Sequence, residues 1–249
     1  MGSKKKLQKH IAPIINKLIT DNNISTYIEP FVGGANMIEV VNCYEKIGYD
    51  NNEYLISLLN YVSNNGLDNL PNEITREHYS NVRTVYNNGG IMFPKYYIGY
   101  IGFMGSYNGR FFDGGYSGHD VKEKGKEKGR DFIRQTINNL ESQLENIKDI
   151  KFKTLDFKKI DVKGCLIYCD PPYKNTKKYL TSKNFDYYNF YEWVRKMSKN
   201  NIVLVSEYEM PVDFEVIWSK ETKTNMMDTM GGIRKTNIEK LFIYKGDKQ

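Results

Sequence analysis

Asp170-Pro171-Pro172-Tyr173 is the stretch whose residue types could do chemistry together. It closes the apolar run Cys165-Leu166-Ile167-Tyr168-Cys169, which reads as a short buried strand. Proline lacks the N–H a central strand needs, so the strand stops and the acid falls at its carboxyl end. Open α/β sheets place their ligands at that end. Two fixed φ angles make the loop stiff, and it holds the Asp170 carboxylate, the Pro171 carbonyl and the Tyr173 ring in one arrangement. Such a set suits a flat ligand with an exocyclic amino group. The oxygens accept its two N–H bonds and the ring stacks on its face. The plainer alternative is a turn after a core strand.

A second group of residues could hold a nucleotide-like ligand. Glu29-Pro30-Phe31-Val32-Gly33-Gly34-Ala35-Asn36 lies between the strand-like Thr26-Tyr27-Ile28 and the apolar Met37-Ile38-Glu39-Val40-Val41. The pattern predicts strand, Gly-rich turn, helix. Glycines without Cβ let the backbone approach a ligand, and a helix start offers free N–H groups. A tight turn with no ligand is the alternative. Further on, Ile47-Gly48-Tyr49 reads as a strand ending in Asp50-Asn51-Asn52. An acid there can accept bonds from ribose hydroxyls, or cap the helix that starts near Asn52, or do both.

The elements that must position these residues follow from periodicity. Leu7, Ile11, Ile14, Ile15 and Leu18 give one apolar face to a helix over 4–19, whose start carries Lys4, Lys5, Lys6 and Lys9. Helices are expected over 53–62, 76–86, 131–147 and 190–198. Strands are expected over 149–155, 202–205, 215–218 and 240–244, the last two forming a hairpin. Strand–helix units on both sides of an insertion predict a mostly parallel sheet. The insertion, from 64 to about 129, is rich in Asn, Gly and Tyr and includes Tyr107-Asn108-Gly109-Arg110-Phe111-Phe112. Interleaved aromatics, Gly, Asn and Arg suit backbone contacts, base-edge hydrogen bonds and wedges between bases. A loop-rich stretch of this length is usually functional. A Tyr-rich structural subdomain is the other reading. The mixed-charge run 122–130 is expected to be a solvated loop.

Composition narrows the classes. The 249 residues suffice for one α/β domain with an insertion. A net charge of +6, with 20 Tyr and 12 Phe, fits a polyanion partner whose bases can be stacked upon. No run of about 18 apolar residues occurs, so no membrane span is expected. Three cysteines, two of them on the central strand, suggest reduced thiols in a cytosol. His10, His78 and His119 have no metal-ligand spacing, so no metal is expected.

Glu29-Pro30-Phe31-Val32-Gly33-Gly34, followed far downstream by Asp170-Pro171-Pro172-Tyr173, resembles the Dam-type, alpha-group DNA adenine-N6 methyltransferases of bacteria and phages. Met1-Gly2-Ser3-Lys4 is similar to the segment that opens these proteins. Tyr49-Asp50-Asn51, Asp156-Phe157 and Ser206-Glu207-Tyr208 also fit, and Tyr107-Asn108-Gly109-Arg110-Phe111 matches the insert more loosely. The resemblance implies a Rossmann-like class I methyltransferase sheet of seven strands, one antiparallel. Residues 1–56 and 146–249 would form the catalytic domain and 57–145 an inserted, mainly helical and loop target-recognition domain.

By the same resemblance, S-adenosyl-L-methionine would be held by Met1, Gly2, Ser3, Lys4, Glu29, Pro30, Phe31, Val32, Gly33, Gly34, Ala35 and Asn36. Asp50 and Asn51 would serve its ribose, Asp156 and Phe157 its adenine, and Asp170 would also touch it. Asp170, Pro171, Pro172 and Tyr173 would act on the target adenine. Tyr107, Asn108, Arg110, Lys174, Lys177 and Lys178 would contact double-stranded DNA. A monomer in a bacterial or phage-infected cytoplasm is expected. A non-catalytic DNA-binding homologue and methyl transfer to cytosine N4 or a protein glutamine stay open, as do the recognised sequence and the biological role.

Overall fold

The computed structural model describes residues 5–119, 129–173, 185–227 and 234–246. Helix α1 (Lys5–Asp21) buries Leu7, Ile11, Ala12, Ile15 and Ile19 on one face, and its internal Pro13 lies on the solvent side. Strand β1 (Thr26–Glu29) leads into the Gly-rich turn, and β2 (Glu45–Asp50) leads into α2 (Glu53–Asn65). Helices α3 (Arg76–Asn87) and α4 (Lys95–Gly105) fill the insertion. Then come α5 (Phe132–Glu141), α6 (Leu144–Ile147), β3 (Lys151–Thr154), β4 (Leu166–Cys169) and α7 (Tyr187–Ser198). Strands β5 (Ile202–Glu207), β6 (Phe214–Met227) and β7 (Arg234–Tyr244) complete the order.

One seven-stranded sheet runs β3-β2-β1-β4-β5-β7-β6. Strands β1 to β5 pair in parallel, while β7 pairs antiparallel with both β5 and β6, so β7 alone is reversed. This is the mostly parallel sheet expected from the strand–helix pattern, with the seven strands and one reversed strand that the resemblance implies. A parallel sheet is covered on both faces, and its strands show it. Tyr27, Leu166, Tyr168, Leu204 and Leu241 join the apolar residues of α1, α2, α4 and α5 on one side. Ile28, Ile167, Cys169, Val203, Val205 and Phe242 face α7 on the other, with Phe190, Trp193, Val194 and Met197. All four residues of β4 are buried.

The chain winds outward from β1 to β2 and β3, then returns to lay β4 on the other side of β1. That reversal makes a topological switch point between β1 and β4, where the loops diverge and leave a crevice. No helix among the described residues is long and apolar enough to cross a membrane. Cys43, Cys165 and Cys169 are free.

Three expectations are corrected. The helix expected after the Gly-rich turn is one 3-10 turn, Ile38–Val40. Five residues, four of them apolar, cannot offset helix nucleation, and Met37, Ile38 and Val41 are buried in the core instead. The helix expected over 131–147 breaks into α5 and α6 at Ser142 and Gln143, where the Gln143 side chain turns inward. The stretch around Tyr96–Phe103, taken with the loop-rich insertion, is helix α4, buried from Ile98 to Gly105. It approaches α2 so closely that a Cβ on Gly99 would lie 2.3 Å from the Tyr54 carbonyl oxygen.

Candidate active site at the carboxyl edge of the sheet

Because β1 to β4 are parallel, their last residues share one edge. Glu29, Asp50, Thr154 and Cys169 end the four strands. The sequence-predicted residues follow directly from those ends.

The Gly-rich turn after β1 is tied down from several sides. Val32 N donates to the Tyr49 carbonyl at 2.8 Å, and Gly33 N donates to Asp50 Oδ2 at 3.3 Å. Gly33 has φ +50°, open to a residue with no Cβ, and Ala35 holds φ +56° while buried. A non-glycine residue in that region carries strain of about 1–2 kcal/mol per residue, which the surrounding contacts must outweigh. Two glutamines supply some of them. Gln143 Nε2 donates to the Gly34 carbonyl at 3.3 Å, and Gln8 Nε2 donates to the Asn36 carbonyl and, at 3.0 Å, to Glu39 Oε1. No motif or spacing singles out either glutamine. The only sequence signal is a polar residue facing inward on an otherwise apolar helix pattern.

Asp50 does local work as well. Its Oδ1 accepts from Asn52 N at 2.9 Å, and Asn52 caps α2 by accepting from Tyr54 N and Leu55 N. The Asx-turn and the ligand-facing readings therefore meet in one residue. Burial raises the Asp50 carboxyl above its ordinary range, while backbone N–H bonds from Asn52, Gly33 and Asn51 oppose that. Asn51 itself is exposed on the turn.

Phe31 and Phe157 meet with ring centroids 5.4 Å apart, joined by Phe185 and Phe190. This apolar shelf brings the turn after β3 beside the turn after β1. Asp156 starts that turn as its cap, accepting from Lys158 N at 2.9 Å, and it is exposed.

Asp170 follows β4 across the switch point from Glu29. Burial pushes the Glu29 carboxyl well above the usual carboxylate range. The Tyr27 hydroxyl, donating to Glu29 Oε1 at 2.8 Å, works against this, and the charge of Asp170 adds to it. That shift favours the neutral form of Glu29 on an edge that also carries Asp170 and Glu207. Pro171 is buried, and the Pro172 carbonyl accepts the Tyr187 hydroxyl at 2.8 Å. The Tyr173 hydroxyl donates to Glu239 Oε2 at 3.0 Å, and its ring stands edge-on to Tyr208 at 4.6 Å. Tyr187 and Glu239 come from α7 and β7, elements that the sequence reading left out of the site.

The structure thus brings Glu29 to Asn36, Asp50, Phe157 and Asp170 to Tyr173 to one sheet edge. Tyr107, Asn108 and Arg110 lie on the turn after α4 instead. Tyr107 and Asn108 are exposed, and Arg110 Nη2 pairs with Asp113 Oδ2 at 2.5 Å. The neighbouring aromatics turn inward rather than forming wedges. Phe111 packs on Tyr54, Tyr86 and Phe103, and Phe112 is buried against Tyr79 and Tyr86. Met1, Gly2, Ser3, Lys4, Lys174, Lys177 and Lys178 lie outside the described residues.

No curated protein matches the chain in sequence. Among solved structures it is similar to the rRNA methyltransferase AviRa from Streptomyces viridochromogenes, at 10% identity and a TM-score of 0.44, over 99% of this chain and 87% of that one. It is also similar to protein 1320 of Thermoplasma acidophilum, at 8% identity and a TM-score of 0.40, over 100% of both chains. The model of the D12 class N6 adenine-specific DNA methyltransferases matches residues 1–226. That span covers most of the sequence, and the chain belongs to this family.

Proposed function

We propose that this chain is a site-specific DNA adenine-N6 methyltransferase that flips its target adenine out of duplex DNA and uses S-adenosylmethionine as donor. The observation that carries the reading is the stiff Asp170–Tyr173 turn at the β1–β4 switch point, beside the Gly-rich turn ordered by Asp50. The residues present fit the donor. A left-handed glycine, an acid at the end of β2 and the Phe31–Phe157 shelf are the parts a nucleoside ligand needs. Met1–Lys4, Glu29–Asn36, Asp50, Asn51, Asp156, Phe157 and Asp170 would hold it, with Asp50 serving the ribose and Asp156 the adenine amino group. When bound, S-adenosylmethionine supplies an activated methyl group.

The protein's own residues do the rest. Taking a base out of the stack costs a few kcal/mol, which hydrogen bonds to Asp170 and stacking on Tyr173 offset. The adenine amino lone pair is delocalised into the ring and is a poor nucleophile. Bonds from N6 to the Asp170 carboxylate and the Pro171 carbonyl favour a pyramidal nitrogen with its lone pair aimed at the methyl group. Fixed placement lowers the barrier by proximity, and Asp170 stabilises the positive charge that develops on nitrogen. Residues 57–145 form the target-recognition domain in this reading, with Tyr107, Asn108 and Arg110 on DNA and Lys174, Lys177 and Lys178 on its phosphates. Residues 1–56 and 146–249 form the catalytic domain, and a monomer in a bacterial or phage-infected cytoplasm suffices.

The test is incubation of the protein with S-adenosylmethionine and an adenine-containing duplex, then digestion and mass detection of nucleosides. N6-methyladenine is the expected product. N4-methylcytosine in its place, or cofactor binding with no modified nucleoside, overturns the reading.

A further inference from the structure

We infer that Glu239 is a positioning residue that fixes the Tyr173 ring where the target base must stack, an inference that rests on the methyltransferase reading of the site. Side chains alternate along a strand, so Asn237, Glu239 and Leu241 share one face of β7. The antiparallel return of β7 beside β5, with Lys240 opposite Glu207, carries that face to the carboxyl edge. There the Glu239 carboxylate uses both oxygens. Oε2 accepts from the Tyr173 hydroxyl at 3.0 Å and Oε1 from the Tyr208 hydroxyl at 3.4 Å. Asn237 Nδ2 donates to the Tyr208 hydroxyl at 3.1 Å, and the Tyr208 ring meets Tyr173 at 83°.

A tyrosine ring has two side-chain torsions, and this arrangement restrains both: the hydroxyl is clamped and the ring is braced. The backbone is held separately, by the Tyr187 hydroxyl on the Pro172 carbonyl. Burial, with the charges of Asp170 and Glu239, pushes the Tyr173 hydroxyl well above the ordinary tyrosine range, so it stays a donor. A second acid acting on Tyr173, besides Asp170, is unfavourable in a site for a polyanion. Ordering two tyrosine hydroxyls gives it a return.

The test is a cycle of Glu239→Leu, Glu239→Gln, Tyr173→Phe and Tyr173→Phe/Glu239→Leu, read by methyl transfer to an adenine duplex and by calorimetric S-adenosylmethionine binding. Glu239→Leu should lower kcat roughly tenfold, the scale of one hydrogen bond to a charged group. Cofactor affinity should stay within about twofold of the unmodified protein, since the clamp faces the base. Glu239→Gln, which keeps an acceptor oxygen, should recover most of the rate. Tyr173→Phe should lose as much as Glu239→Leu, and the double variant no more than either. Additive losses, an unchanged rate in Glu239→Leu, or no recovery with Gln overturn the inference. Should Glu239→Leu fail to fold, Tyr173→Phe decides, because it keeps the ring and removes the hydroxyl that Glu239 accepts from; an unchanged kcat overturns it. An unmodified protein that transfers no methyl group refutes the methyltransferase reading itself, and the inference falls with it.

Discussion

Replacing Gly48 by alanine links the sheet to the site. Gly48 lies on β2 between Glu29 of β1 and Phe152 of β3 in the parallel register. A Cβ built there would sit 2.7 Å from Val32 Cγ2 and 2.9 Å from Phe152 Cδ1. Carbon atoms pack at about 3.5–4.0 Å, so both contacts must open. The strand is laddered on both sides and cannot slide. The Phe152 ring edge can turn slightly, but Val32 is the residue whose backbone N–H, on the Tyr49 carbonyl, ties the Gly-rich turn to β2, so pushing its side chain away strains that tie. Strain from an extra methyl in a packed core is about 1–3 kcal/mol. In a chain of this length each kcal/mol lowers Tm by about 2–4 °C, so Gly48→Ala should lose about 2–12 °C by scanning calorimetry. Whatever strain is relieved by moving the turn should appear instead as weaker S-adenosylmethionine binding, at most about 5-fold in Kd per kcal/mol so relieved, by titration calorimetry. Val32→Ala in the same chain should recover part of both losses, a non-additivity of at least about 0.5 kcal/mol. Unchanged Tm and affinity in Gly48→Ala, or strict additivity with Val32→Ala, would refute the packing argument.

The other predictions concern the base, the DNA and acid stability. Asp170→Ala should abolish methyl transfer and weaken calorimetric cofactor binding far less, by at most about tenfold, since the other residues of the cofactor site remain; retained turnover removes Asp170 from its assigned role. Arg110→Ala should weaken or relax DNA discrimination in binding assays and leave cofactor affinity alone; unchanged discrimination means another part of the insert reads the sequence. Asp213 is held below its ordinary range, first by the hydrogen bonds of the Arg195 guanidinium, with Nε at 2.6 Å from Oδ2 and Nη2 at 3.0 Å from Oδ1. Its folded pKa is therefore depressed. The pair's contribution is fully present above the unfolded carboxylate value of about 3.9 and is lost as pH falls through the folded value. Asp213→Asn should accordingly lower Tm at pH 7, by an amount that shrinks as pH falls below the unfolded carboxylate value of about 3.9, and a drop that stays constant down that range would contradict the assignment.

The strands and the acids that end them were legible because both depend on local pattern. Cys165–Cys169 is a continuous apolar run ended by an acid and two prolines, and its shortness and that stop read as a buried strand with its acid at the carboxyl end. Asp50 and the Gly-rich turn were readable for the same reason. The insert was not. Lys95–Gly105 carries three glycines at every third position and several aromatics, a composition that reads as loop or strand. Close packing on α2 makes it helix, and that contact is invisible in the local sequence. Phe111 and Phe112 looked like groups for a partner, but Phe112 is buried in the core and Phe111 packs half-buried against it, for the same cause. The supporting shell was also hidden. Gln8, Gln143, Tyr187 and Glu239 reach the site from 28, 109, 15 and 66 residues away from the groups they bond. Only the sheet order, which folds β7 back beside β5, brings the last of them in.

The central claim is that Asp170 and its turn present adenine N6 to a methyl donor. Tritium transfer from labelled S-adenosylmethionine to unmethylated genomic DNA, run with the unmodified protein and Asp170→Ala side by side and read by nucleoside chromatography, tests it most directly. Label confined to N6-methyladenine with the unmodified protein, and none with Asp170→Ala, is the predicted result. Label in any other nucleoside, equal label from the two proteins, or no label despite cofactor binding would contradict it.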